Sequence, residues 1–333
     1  VLASRLPTTM RSTFGYGPLP EASALAAAAG AMVLGVRLPT VTAGAVHAKA
    51  AKTVSDATNA TPIVITTSAA HGLVDGDVVT IASVGGNTAA NGTWIVNALT
   101  STTFQLIGSV GNSAYTSGGT VTPKGAIMLA SDGTTETNVA SGTAPVYLSG
   151  AAYDDAFFEM RVVNGGTVGT DDLGVTLSLD AGRSTNLPTV HLGTATTYTI
   201  PELNVTIHLG TGDLAAGTVI RAYTTAPQPD AAGIVAALEM LATGPYGVAG
   251  WGSLHIAAVL SAADAATVAA KLQSLFTDDA IDTRGLAAAR DASPPTRFGG
   301  TGETDATWGA AVVADYANTT SPRLAVDAGY YNM

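Results

Sequence analysis

Hydrophobic and polar positions follow two different patterns along this chain of 333 residues. In residues 52–124, short apolar runs alternate with Gly, Asn and Ser every eight to twelve residues, and no helical periodicity accompanies them. Runs of this length and spacing are typical of a small all-β sandwich or barrel. The strands predicted there are Pro62–Thr67, Asp77–Ser83, Gly92–Leu99, Thr103–Ile107 and Gly119–Thr122. We therefore interpret this segment as a self-contained inserted module.

From residue 228 onwards the pattern alternates between helix and strand. Asp230 and Ser261 stand where helix N-caps are expected, and Asp264 follows Ser261 as in a capping box. The run Leu254–Leu260 is nearly continuously apolar, which is typical of a strand covered on both faces. Helices are predicted at Ala231–Ala242, Ala262–Phe276 and Thr304–Asn318, and a further strand at Arg323–Ala328. Strands joined through helices indicate a parallel sheet with right-handed crossovers.

The segments on either side of the module are less regular. Residues 1–51 are interpreted as a loop, then an Ala-rich helix at Glu21–Gly30, then a buried strand at Ala31–Leu38. This helix and strand could belong to the same layer as the C-terminal parallel sheet. Residues 125–227 are β-rich, with strands predicted at Phe157–Val163, Gly174–Asp180, Tyr198–His208 and Thr218–Thr225.

The predicted fold class is therefore α/β plus β: a mixed sheet with flanking helices that carries an inserted all-β barrel or sandwich. The α/β body begins in residues 1–51 and resumes after the module of residues 52–124. It continues as a β-rich region in residues 125–227 and as an α/β region in residues 228–333.

Composition excludes several functional classes. The net charge is −11 and charged residues make up only 12% of the chain, so direct binding of nucleic acid through phosphate neutralisation is not expected. The chain has no Cys, which excludes disulfides, thiolate nucleophiles and Cys-ligated metals. The longest apolar run, Ala24–Val36, is shorter than the about 20 residues of a membrane span, so no membrane insertion is expected. Such sparse charge fits a protein that buries much of its exterior against other copies.

Residues with reactive side chains are present but form no catalytic pattern. The five histidines lie outside any metal-binding spacing, and those in apolar strands are expected to be hydrogen-bonded core residues. They are His47, His71, His191, His208 and His255. Three acidic doublets are interpreted as solvated turn or helix-end residues, with calcium binding or acid–base catalysis as the alternative. They are Asp154-Asp155, Asp171-Asp172 and Asp278-Asp279.

Glycine-rich and tryptophan positions add no cofactor site. The loop Gly299–Gly302 precedes a predicted helix but lacks the Lys-Ser/Thr of a phosphate-binding loop. Trp94, Trp251 and Trp308 are expected to pack in cores. The sequence thus predicts no catalytic, cofactor-binding or metal-binding residues, no cofactor and no enzymatic activity.

The module resembles a small β-barrel that is found inserted in bacteriophage tail and virion proteins, and it is also similar to a domain of ubiquitin-activating enzymes. The stretches that carry this resemblance are His71-Gly-Leu, Gly76-Asp77-x-Val79-x-Ile81, Asn91-Gly-Thr-Trp94-x-Val96, Phe104-x-Leu106 and Tyr115-x-Ser-Gly-Gly119. No ubiquitin chemistry is implied, because the chain has no Cys.

The rest of the chain resembles a contractile-tail sheath protein of phages. The stretches that carry this resemblance, in order, are Phe14–Leu19 with Glu21–Ala28 and Val33–Arg37, Arg161–Gly169, Ser178–Gly182, Gly217–Pro227, Ile256–Leu260, Arg290-Asp291 and Arg323–Gly329. Sheath proteins run on into a further domain with an extended arm. The resemblance therefore implies either that this domain is missing after Met333 or that subunits are linked in another way.

The resemblance implies a structural virion protein of a phage tail, assembled in the cytoplasm of the host bacterium. The subunit would polymerise into stacked, sixfold rings around the tail tube and rearrange on contraction to drive genome delivery. Its partners would be other copies of itself in a helical lattice, the tail tube protein, and the baseplate and tail terminator proteins. Two alternatives remain open: another structural part (baseplate, tail fibre or capsid decoration), and a glycan-degrading tail component that uses an acidic doublet.

Overall fold

The computed structural model describes residues 2–4, 6–14, 18–30, 33–38, 41–47, 49, 51–124, 127–129, 136–137, 146–179, 187–244, 253–289, 303–317 and 321–327. In these ranges the protein has a mixed α/β fold made mostly of strands, with a closed barrel of six strands. Trp251, Arg290-Asp291 and Gly299–Gly302, for which the sequence made predictions, lie outside the described residues.

The elements are numbered in chain order. The helices are α1 Pro7–Phe14, α2 Pro18–Ala28, α3 Ala231–Thr243, α4 Ala262–Asp279 and α5 Asp305–Tyr316. The strands are β1 Leu2–Ser4, β2 Val33–Gly35, β3 Ala45–His47, β4 Lys52–Ala57, β5 Val64–Thr67, β6 Val78–Ala82, β7 Gly92–Ala98, β8 Thr103–Leu106, β9 Thr120–Pro123, β10 Ile127–Leu129, β11 Glu136–Thr137, β12 Tyr147–Ser149, β13 Ala156–Asn164, β14 Gly166–Thr167, β15 Gly174–Ser178, β16 Val190–His191, β17 Thr197–Ile200, β18 Val205–His208, β19 Asp213–Leu214, β20 Val219–Thr225, β21 Ser253–Val259, β22 Arg284–Ala288 and β23 Leu324–Asp327.

The barrel is formed by β4 to β9 in the spatial order β4-β5-β8-β7-β6-β9. It closes where Lys52 of β4 pairs with Val121 of β9, so the chain enters and leaves the barrel on neighbouring strands. Its interior holds a separate apolar core in which Ile65, Phe104 and Leu106 are fully buried. All buried members of this core come from the barrel's own residues, so the barrel encloses its own hydrophobic centre.

The first barrel strand, β4, was not predicted. A register shift lies between Val54 and Asp56 where β4 pairs with β5. This irregularity lets Val54 and Ala57, three residues apart, both point into the core. The shift breaks the period-two alternation by which a strand is recognised in the sequence.

A seven-stranded antiparallel sheet lies at the centre of the body. Its path is β11-β10-β20-β13-β15-β16, and β3 also pairs with β20. Phe158, Met160 and Val162 of β13 are buried on one face of this sheet. They pack in one core with Val205 and Ile207 of a second sheet, β12-β18-β17. Two sheets therefore pack face to face around one apolar layer.

The single strand predicted at Tyr198–His208 is wrong. The structure has a hairpin there, β17 and β18, whose connection includes Pro201 and Asn204. Proline cannot donate a ladder hydrogen bond, and Asn204 adopts a left-handed conformation with φ of 55°. Both features end a strand locally although the apolar run continues.

The C-terminal region is a three-stranded parallel sheet, in the order β21-β22-β23, that packs with helices α3, α4 and α5. The predicted caps are confirmed, since Asp230 accepts from the Gly233 N–H and Ser261 accepts from the Asp264 N–H. The central strand β22 was missed. Its sequence Arg-Gly-Leu-Ala-Ala contains no β-branched or aromatic residue, so strand propensity gives little signal.

Three further expectations are corrected. The first residues were expected to form a loop, but Pro7–Phe14 is the helix α1. The strand at 33–35 pairs with β1 in a separate two-stranded sheet and does not join the parallel sheet. The run Leu254–Leu260 is not fully covered on both faces, because His255 is exposed and Ala257 and Val259 are only half-buried.

We predict that the barrel folds without the body and that the body folds without the barrel. An isolated segment 51–124 should unfold in a single cooperative transition, because its core contains only its own residues. A chain in which a short Gly/Ser linker replaces residues 52–123 should also unfold cooperatively, because the two ends of the barrel are adjacent. Circular dichroism during thermal unfolding measures both, and a broad, non-cooperative transition in either protein would contradict an independent module.

Candidate assembly surface

The histidines differ in burial and in partners. His255 on β21 is exposed, so the expectation of a core histidine is wrong there. His208 on β18 is half-buried, stacks on the Tyr147 ring at 4.1 Å between centroids, and lies 2.9 Å from Ser149 Oγ through its Nε2. Burial, together with the positive charge of Lys124, lowers the pKa of His208 below its ordinary value. These contacts hold the His208 ring in place.

The buried histidine is His71, at the turn before Gly72. Its Nδ1 accepts from the Leu73 N–H at 2.9 Å, and its Nε2 lies 3.4 Å from the Thr103 carbonyl oxygen. The ring also meets Phe104 edge-on at 5.2 Å. An acceptor at Nδ1 and a donor at Nε2 describe a neutral ring, and burial lowers the pKa of His71. His71 therefore connects the barrel's turn to its core.

Two acidic doublets bind backbone groups of nearby turns. Asp155 accepts from the Ala226 N–H at 2.8 Å, and Asp171 accepts from the Thr167 N–H at the same distance. Asp172 accepts from the Gly193 N–H and contacts His191 Nδ1, each at 2.8 Å. These contacts lower the pKa of Asp172, the backbone N–H contributing most. These three carboxylates are engaged in fixing loops.

The third doublet, Asp278-Asp279, ends α4 and is exposed. Asp278 accepts only from the neighbouring Thr277 hydroxyl among the described residues.

Across the described residues, no three His, Asp or Glu side chains lie close enough together to hold a metal ion. In the same residues, no helix is long and apolar enough to cross a bilayer.

The tryptophans that are described pack against cores. Trp94 lies against the barrel core and donates from its indole N–H to the Ala90 carbonyl oxygen at 2.8 Å. Trp308 of α5 is buried in a small cluster with Val312. Both tryptophans contribute to packing.

A buried charge cluster in the central sheet was not found by sequence reasoning. Glu159 of β13 is 6% exposed and accepts from Arg161 at 3.0 Å and from Arg221 at 2.9 Å. Glu159 and Arg221 are direct cross-strand partners in the register of β13 and β20. Glu159 and Arg221 are 62 positions apart in the sequence, and only the pairing of β13 with β20 brings them together. A carboxylate satisfied by two guanidinium groups favours this register over its alternatives.

One row of residues across the parallel sheet is covered by helices. Ile256, Ala287 and Val326 are register partners on β21, β22 and β23. Ile256 and Ala287 are buried in a core built with α3 and α4, and Val326 also packs against the cluster that contains α5. All three helices therefore lie on this one face of the sheet.

The adjacent row, which faces the opposite way, is open. His255, Leu286 and Ala325 are register partners on the same three strands, and all are exposed, Leu286 to 43%. Parallel sheets normally have both faces covered. The exposed Leu286 at the centre of such a sheet makes this face a candidate contact surface. We call the row His255–Leu286–Ala325 the open face.

The sheet β21-β22-β23 and the sheet β1-β2 also have outer strands that could pair with another chain. Within the described ranges, neither β21 nor β23 has a strand partner on its outer side, although α2 lies beside β21. The two-stranded sheet of β1 and β2 likewise has two outer edges in that part of the chain. Unpaired strand edges present N–H and C=O groups that can pair with another chain. The open face and these edges form the candidate assembly surface.

No protein-family model matches the chain, and a search of the curated proteins gives no match either.

We predict that His71 makes barrel stability depend on pH. Because the pKa of His71 in the folded protein is lowered below 6.5, its contribution is fully present above pH 6.5 and decreases as the pH falls through that value. The free energy of unfolding, measured by urea titration between pH 7.5 and pH 5, should fall more steeply in the wild type than in His71→Asn. The Asn oxygen can still accept from the Leu73 N–H, but it cannot titrate.

All other titrating groups are common to the two proteins, so the difference between their two pH profiles isolates His71. Parallel pH profiles in the wild type and in His71→Asn would contradict the assignment of a neutral, buried ring.

Proposed function

We propose that this chain is the sheath subunit of a contractile phage tail. In this proposal the protein polymerises into stacked, sixfold rings around the tail tube, and it changes its packing when the tail contracts to deliver the genome. It is a structural protein of the virion, assembled in the bacterial cytoplasm, and it performs no catalysis. Its partners are other copies of itself, the tube protein, and the baseplate and terminator proteins.

The observation that carries the proposal is the open face beside unpaired strand edges. A monomer would leave Leu286 of a parallel sheet in water, whereas a neighbouring copy would cover it. Strand addition at β1, β2 or β23 would link each copy to the next through backbone hydrogen bonds. Contacts between different surfaces of identical copies generate closed rings when the rotation between copies closes, and open helical arrays when it does not.

The module supports the same proposal in a different way. The barrel is closed and has its own core, and it joins the body through adjacent strands. A domain attached in this way can stand on the outside of a tube without interrupting the lattice. Contraction then consists of rigid-body rotation of whole subunits between two packings. The order of the sheath-like motifs along the body adds support from the sequence.

The described ionisable groups fit a structural protein. The carboxylates of Asp155, Asp171 and Asp172 bind loop backbone, and Glu159 pairs with two arginines. A glycan-degrading enzyme would instead need a carboxyl pair that faces a substrate cleft.

We predict that the purified chain forms tubes or stacked rings that are visible by negative-stain electron microscopy. Leu286→Glu should abolish the tubes, because a carboxylate on the open face cannot be desolvated against a neighbour. Thermal unfolding should change little, because this side chain is already 43% exposed.

The matched control is Leu99→Glu, on the barrel. Leu99 is 48% exposed, so the same substitution is made at nearly the same exposure. This variant should still form tubes. A wild-type chain that stays monomeric at high concentration, or that forms only discrete trimers, would contradict the sheath proposal. Normal tubes from Leu286→Glu would contradict the role of the open face.

A further inference from the structure

The outer wall of the barrel carries a groove that the assembly proposal does not use. It is an open groove of about 590 Å³, within the range of roughly 300–1,000 Å³ that is typical of ligand pockets. Its floor lies on β7 and β8, and its ends are formed by the loops around Pro62 and Asp75. The lining divides into an apolar part and a polar part.

The apolar part consists of aliphatic side chains. Ile95, Ile107 and Pro62 line the groove, and Ile107 is 52% exposed although it is a large apolar residue. The groove lining contains no aromatic side chain on which a sugar ring or a nucleobase could stack. The floor therefore suits an aliphatic side chain.

The polar part is a cross-strand amide pair. Asn97 of β7 and Gln105 of β8 are register partners, and the Asn97 amide donates to the Gln105 carbonyl oxygen at 3.1 Å. This one bond leaves an acceptor on Asn97 and a donor on Gln105. If both amides are flipped, the pair still presents one acceptor and one donor. An acceptor beside a donor complements the N–H and C=O groups of a peptide main chain.

One carboxylate completes the lining. Asp75 is exposed, and its Oδ1 accepts from the Ala98 N–H at 2.7 Å, while its second oxygen has no hydrogen bond to any described residue. No lysine or arginine lines the groove, so phosphate and other anionic ligands would meet only negative charge. A cationic group is the charge complement of Asp75.

From these three features we propose that the groove binds an extended peptide segment in which an aliphatic residue is adjacent to a lysine or arginine. The aliphatic side chain packs on Ile95 and Ile107. The peptide main chain bonds to Asn97 and Gln105, and the basic side chain pairs with Asp75. This site is independent of tiling, since the open face lies on the parallel sheet and the groove lies on the barrel.

The test uses the full-length chain, fluorescently labelled and kept below its assembly concentration. It is applied to immobilised seven-residue peptides of Gly and Ser with Leu-Lys, Leu-Glu, Ser-Lys or Ser-Glu at the centre. Leu-Lys should bind most tightly, with about threefold discrimination against Leu-Glu, the size expected for one exposed ion pair. Asp75→Asn keeps the acceptor for the Ala98 N–H but removes the charge, so it should abolish this discrimination while Leu is still preferred to Ser.

A double variant, Asn97→Ala with Gln105→Ala, should weaken Leu-Lys binding about tenfold, because two hydrogen bonds are lost. The control double variant, Thr80→Ala with Thr93→Ala, removes another cross-strand pair of the barrel, whose hydroxyls lie 3.3 Å apart, and should bind like the wild type. Circular dichroism verifies that every variant folds.

Three results would overturn the proposal. They are equal binding of all four peptides, unchanged binding by the Asn97/Gln105 double variant, and binding of a neutral oligosaccharide such as maltotriose in preference to Leu-Lys. Each of them leaves the tube-forming test unaffected, so failure here is distinguishable from failure of the sheath proposal.

Discussion

The direction in which the C-terminal strands follow one another is the constraint on which the functional interpretation depends. The strands β21, β22 and β23 lie side by side in the order in which they follow along the chain. Because parallel strands are joined by right-handed crossovers, the connecting helices then lie on the same face of the sheet. The cores of the region agree, since α3, α4 and α5 all pack on the face that carries Ile256 and Ala287. Among the described residues, no crossover helix lies on the opposite face, so Leu286 is left exposed at its centre.

Much of the fold could be predicted from local patterns. Five barrel strands follow from alternation bounded by turn residues, and the caps at Asp230 and Ser261 follow from side chains that accept helix N–H groups. The elements that were not predicted correctly also have local causes. In β4, a bulge shifts the alternation of buried and exposed residues. The strand β22 consists of residues with low strand propensity. Between β17 and β18, Pro201 interrupts an apolar run that otherwise continues.

The candidate sites could not be predicted in the same way, because each depends on which strands are neighbours. The open face is a row of three residues that come from three strands. The Glu159 cluster and the Asn97–Gln105 pair each form only where two strands are paired. Sequence reasoning did infer right-handed crossovers. The expectation that Leu254–Leu260 is covered on both faces rested on its nearly continuous apolar run, which does not show on which side the helices lie. His255 was assigned to the core because it lies in that run.

The free energy that one proposed contact contributes bears on how a sheath could hold together and still contract. Full burial of a leucine is worth about 1.5–3 kcal/mol, so covering the exposed part of Leu286 contributes about 1 kcal/mol. One such contact cannot hold two copies together against the entropy lost on association. In a lattice each copy is held on its open face by one neighbour and on its complementary surface by another, and backbone pairing at strand edges adds to these contacts. An array held by many weak contacts is stable as a whole, yet each contact can be exchanged at little cost. This combination would let rigid subunits pass between an extended and a contracted packing.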